Sequence, residues 1–127
     1  MRHTLCSALA LGSLFLWARP VFAVVGEASW LYGYWYPTSD EDRSPADWSE
    51  FLADGTYVTF LQDCTRHTAK YHFYGGDVYV TVELPGKGPI ALVFRPNEAR
   101  TKLTYTSFRT HNNAVLERSK PPPCAGI

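Results

Sequence analysis

From residue 30 to residue 119 the chain is written in short runs in which apolar side chains return at every second position. Turn signals interrupt these runs about every 10 residues. Val78, Val80, Val82 and Leu84 form one set, and Tyr79, Thr81 and Glu83 form the other. Ile90, Leu92 and Phe94 alternate in the same way, as do Leu103 and Tyr105. A pleated strand sends successive side chains to opposite sides, so this rhythm describes strands with one buried and one wet face. The punctuation agrees. Asp54-Gly55 joins two alternating runs, and a two-residue Asp-Gly turn tolerates the positive φ that a tight hairpin needs. Gly75-Gly76-Asp77, the Pro-Gly-Lys-Gly-Pro stretch at 85–89, Pro96-Asn97-Glu98 and His111-Asn112-Asn113 mark further reversals.

Eight strands follow from this reading: 30–36, 48–53, 56–62, 68–74, 78–84, 90–95, 102–108 and 114–119. Pro37 ends the first. Residues 38–47 are acidic and turn-rich, which describes a surface loop, and residues 45–51 also fit a single helical turn. Short connections favour pairing of neighbours in chain order, and a meander loses its exposed edges by closing on itself. The expected fold is all-β: an eight-stranded antiparallel meander closed into a small barrel. At eight strands the interior is either filled by side chains or holds one small ligand.

Residues 1–23 read as a cleaved signal peptide. Arg2 and His3 precede an apolar run at 5–17, Arg19-Pro20 breaks it, and Val21 and Ala23 place small residues before a cut after Ala23. The run is shorter than the roughly 20 residues of a spanning helix, and no later stretch is long and apolar enough. The expected organisation is a signal peptide followed by one barrel domain at 24–127, exported to the periplasm or secreted. Of three cysteines, Cys6 leaves with the signal. Cys64 and Cys124 then meet an oxidising compartment, where paired thiols become a disulfide. That bond would tether the tail carrying Pro121-Pro122-Pro123. Two free thiols, or a metal site drawing on Asp63, Cys64 and His67, are the competing readings.

The whole chain balances 12 basic against 12 acidic residues, and loss of Arg2 and Arg19 leaves a slight acidic excess. That excludes the basic surface a nucleic-acid binder needs. Nucleophile elbows, paired catalytic carboxylates, metalloprotease helices and phosphate loops are all missing from the sequence. Asp40-Glu41-Asp42 lacks the spaced oxygen ligands and Gly of a calcium loop. His67 and His72 fall on opposite sides of a strand, and His111 sits in a turn. The expectation is therefore a protein that is no enzyme, with no cofactor and no metal.

Gly33-x-Trp35 near the start of such a chain resembles the Gly-x-Trp signature of lipocalin and calycin barrels. The Phe51…Asp54-Gly55-Thr56-Tyr57 hairpin, Leu103-Thr104-Tyr105 and the terminal Leu116-x-Arg118 are similar to small bacterial lipocalin-like domains. The resemblance spans residues 30–119. It implies structural roles for Gly33 and Arg118, with Arg118 packing on Trp35 to close the barrel base. It also implies a small apolar ligand in the barrel mouth, lined by Trp35, Tyr57, Phe73, Leu92 and Tyr105. The chain is shorter than a typical lipocalin and has no helix pattern after its strands, so a filled interior fits as well as an open one. The alternative is an envelope protein that binds another protein as inhibitor, immunity or scaffold component. Its contact surface would be loop 38–47 and an outer row of Trp30, Tyr32, Tyr34 and Tyr36, unless the tail or that loop covers the row.

Overall fold

The computed structural model describes residues 28–125. The signal-peptide reading at 1–23 lies outside them. A short 3-10 turn, Ser29–Leu31, precedes β1 (Gly33–Asp40), β2 (Trp48–Phe51), β3 (Thr56–Phe60), β4 (Arg66–Tyr74), β5 (Asp77–Leu84), β6 (Gly88–Pro96), β7 (Lys102–Thr106) and β8 (Asn113–Arg118). Each strand pairs antiparallel with its neighbour in the chain, and β1 also pairs with β8, which closes the barrel. The alternation read from sequence is the pattern that buries the interior. Val78 and Val80 of β5, Phe94 of β6, Leu103 of β7 and Leu116 of β8 join Trp35, Phe51 and Tyr57 in one core cluster.

Two local expectations change. Trp30 belongs to the 3-10 turn rather than to the first strand, and Tyr32 caps that turn. Strand β1 begins at Gly33 and runs through Pro37 to Asp40. A β-bulge follows the proline, between Pro37 and Ser39, where the partner register on β8 slips by one residue. Residues 48–51 of the ambiguous segment form strand β2, not a helical turn.

The two ends of the barrel differ. Trp35, Leu31 and Phe51 are fully buried at the end where β1 starts. The Trp35 indole N–H donates to the Leu31 carbonyl at 2.8 Å, which ties the 3-10 turn across that opening. Arg118, the last residue of β8, lays its guanidinium 4.9 Å from the Trp35 ring centre and donates to the carbonyls of Trp30 and Tyr32. This end is sealed. Loops 41–47, 61–65, 85–87 and 107–112 gather at the other end.

Cys64 and Cys124 are joined in a disulfide, with Cα atoms 5.8 Å apart across a separation of 60 residues. Because β8 ends at the sealed side and Cys64 lies in the 61–65 loop, the tail travels the height of the barrel along its outside. Its Pro122 is buried. Val58 and Phe60 of β3, which point outward by alternation with inward Tyr57, are also buried. Tyr34 packs on Phe60 with ring centres 6.1 Å apart, and a cleft of about 300 Å³ between barrel and tail is lined by Tyr34, Glu50, Phe60, Arg66 and Cys124. The tail therefore covers part of the outer tyrosine row, while Tyr36 packs against Trp48 in a tilted pair, ring centres 4.8 Å apart.

Candidate functional site

At the open end the interior is a cup. An outer cavity of about 460 Å³ is lined by Asp40, Val82, Leu92, Tyr105, Phe108 and Arg109, among others. An inner cavity of about 200 Å³ shares Asp40, Leu92, Tyr105 and Ala114 with it and reaches Ser49, Tyr57 and Phe94. The walls come from alternation: Leu92 and Phe94 on β6, Tyr105 on β7, Ala114 and Leu116 on β8, Ser49 on β2 and Tyr57 on β3 lie on the inward side. Asp40 reaches the cup because of the β1 bulge. Pro37 and Asp40 both line the inner cavity although they are three positions apart, an odd offset that in a regular pleat sends side chains to opposite faces.

Strands β4 and β5 add a side slot. Their pairing starts only at Lys70↔Thr81, so Arg66 to Ala69 pair solely with β3, and the segment from Val82 onward pairs solely with β6. The strands splay toward the open end. The gap, about 890 Å³, is lined by Tyr57, Thr59, His67, Ala69 and Val82.

The polar groups of the cup are few. Ser49 and Tyr57, each 4% exposed as a residue, line the inner cavity, and their hydroxyls lie 2.9 Å apart in a hydrogen bond. Burial pushes the Tyr57 phenol up to about 12, so it stays protonated as a donor. Burial also raises the Tyr105 phenol and the Asp47 carboxyl, the latter lining the inner cavity. Asp42, in the loop after β1, is held below the usual carboxylate range by hydrogen bonds from the Thr110 hydroxyl and the Asn112 amide. Glu41 accepts the Asn113 backbone N–H. These bonds tie loop 41–47 to loop 107–112 at one side of the mouth.

Of the ligand-lining residues expected from sequence, Tyr57, Leu92 and Tyr105 converge on the cup. Trp35 and Phe73 lie at the sealed end. Trp35 is fully buried under Arg118, and Phe73, 40% exposed, packs on Trp30 and Tyr71. Gly33 and Arg118 stand together beside Trp35: a Cβ on Gly33 would meet the Arg118 Nη1 atom at 2.8 Å. Ser49 was not singled out from sequence, and Asp40 and Asp47 were read as parts of the acidic surface loop rather than as cavity walls. Ser49 alone carried a signal, the inward parity it shares with Phe51. Among the described residues no three His, Cys, Asp or Glu side chains converge as a metal site would require, and no helix is long and apolar enough to cross a membrane. Comparison with protein-family models, with curated proteins and with solved structures finds no match to this chain.

Proposed function

We propose that this chain is an exported, lipocalin-like binding protein that holds a small apolar molecule in the open end of its barrel and performs no catalysis. The observation that carries the reading is the asymmetry of the interior. One end is plugged by Leu31, Trp35 and Arg118, while the other keeps cavities of about 460 and 200 Å³ that share the walls Asp40, Leu92, Tyr105 and Ala114. Ligand sites are concave, mostly apolar and provided with a few placed polar groups, and cavities of about 300–1,000 Å³ are typical. The Gly33, Trp35 and Arg118 arrangement supports the lipocalin-like reading, and the Cys64–Cys124 bond supports an oxidising destination. A docking surface for a protein partner has less behind it. Tyr34 borders the tail cleft, and the acidic loop is bonded to Thr110 and Asn112 instead of standing free.

A neutral apolar fluorophore titrated into the disulfide-bonded protein tests the proposal. Saturable, one-to-one enhancement is expected. Leu92→Trp, which replaces an isobutyl group with an indole in the wall of both cavities, should weaken binding about tenfold or more while leaving the fold intact by circular dichroism. Non-saturable enhancement, or an unchanged affinity in Leu92→Trp, counts against the cup.

A further inference from the structure

We infer that the occupant of the cup bears an uncharged oxygen acceptor at its leading end, seated on the Ser49–Tyr57 hydroxyl pair. This inference rests on the cup reading and adds the chemical class of the ligand. Its basis is a proton count. Two hydroxyls carry two donor protons, and their mutual bond of 2.9 Å uses one. That bond is the only side-chain hydrogen bond either group makes among the described residues. Whichever oxygen donates, the other keeps a proton with no protein acceptor. Both residues are 4% exposed, and the inner cavity is the one that both line, so the spare donor is served from there; Tyr57 alone also borders the side slot. A donor kept at the floor of an apolar cup selects a molecule that can accept from it, because hydrocarbon against an unpaired hydroxyl forfeits its hydration without replacement.

The charges around the cavity decide which acceptor fits. Asp40 and Asp47 line the same inner cavity, and no cationic side chain does. Arg109 stands at the rim, and His67 and Lys70 face the side slot. A carboxylate pushed to the floor would sit near two like charges without a counter-ion. The Asp40 carboxylate oxygens, for their part, already accept the backbone N–H groups of Asp42 and Ser44, which lowers their value to a cationic ligand. A neutral ketone, ester or ether oxygen on a ring-sized apolar body meets every condition. Tyr57, Phe94 and Tyr105, whose rings pack on Phe94 at 5.9 and 5.7 Å between centres, supply the wall for that body.

The test compares four probes of one shape on the disulfide-bonded protein by calorimetry: naphthyl methyl ketone, ethylnaphthalene, naphthoate and naphthylethylammonium. The ketone is expected to bind about three- to tenfold tighter than ethylnaphthalene, the return on one hydrogen bond, and tighter still than naphthoate. Its C=O stretch should move to lower frequency on binding. Tyr57→Phe and Ser49→Ala each leave one hydroxyl with a free proton, so each retains part of the preference. The double variant should lose both the preference and the infrared shift while still binding ethylnaphthalene. Equal affinities of ketone and hydrocarbon, a preference that survives the double variant, or the ammonium as tightest probe overturns the acceptor assignment and leaves the cup standing. Failure of all four probes to bind takes down the cup reading itself.

Discussion

Gly33 holds φ at +114°, a region that L side chains rarely adopt, and an added Cβ would lie 2.8 Å from the Arg118 Nη1 atom. The guanidinium cannot withdraw freely, because it donates to the Trp30 and Tyr32 carbonyls and covers Trp35. Gly33→Ala is therefore expected to cost about 1–3 kcal/mol in urea unfolding, from backbone strain together with loss of the guanidinium's seat. A neutral effect would mean that the sealed end is looser than described. The same three residues show what a motif contributes. Gly33-x-Trp35 and a late Arg118 are visible as letters, but the lid that the guanidinium makes over the indole depends on two backbone carbonyls that carry no letter at all. Ser49 makes the converse point. A single serine in a short strand is unremarkable in sequence, and only the register of β2 against β3, with Ser49 two residues from the Phe51↔Tyr57 pair, turns its hydroxyl toward the tyrosine.

At the level of elements, strand alternation carried most of the information. Strands β5, β6 and β7 begin and end within two residues of their expected limits, because each is a clean period-2 run between glycine- or proline-bearing turns. The reading failed where a residue's intrinsic preference and its context disagree. Pro37 reads as a terminator, since it lacks a donor, yet β1 continues through it because its nitrogen faces away from β8, on the side where pairing with β2 has ended at Trp35↔Ser49. The consequence reaches the site, since the bulge turns Asp40 into the cup. Val58 and Phe60 are a second case. They occupy outward positions yet are buried, and Phe60 lines the cleft between the barrel and the tail that runs to Cys64. Nothing local to β3 announces a strap that arrives from 60 residues away. The splay of β4 from β5 was hidden on the β5 side, where Val82 keeps the alternation past the last pair at Thr81.

For the molecule as a whole, the disulfide and the barrel divide the labour. Closing a loop of 60 residues removes chain entropy from the unfolded state, worth about 4 kcal/mol in the chain-entropy model. The double variant Cys64→Ala/Cys124→Ala is expected to lose up to about that much in urea unfolding and to expose the outer face of β3. It should still take up a neutral apolar probe, because neither sulfur lines the cup or the Trp35 seal. A variant that keeps full stability would show that the strap adds little; one that folds but no longer binds would move the site to the tail cleft.

The direct measurement of the central claim is a backbone and side-chain NMR titration with a neutral apolar ketone. Shift changes are expected only in the open-end interior, at Ser49, Tyr57, Leu92, Phe94, Tyr105 and Ala114, with Trp35 and Val78 at the sealed end unmoved. Changes clustered instead on the outer aromatic stack of His72, Tyr74 and Tyr79, or on the cleft beside Cys124, would contradict it.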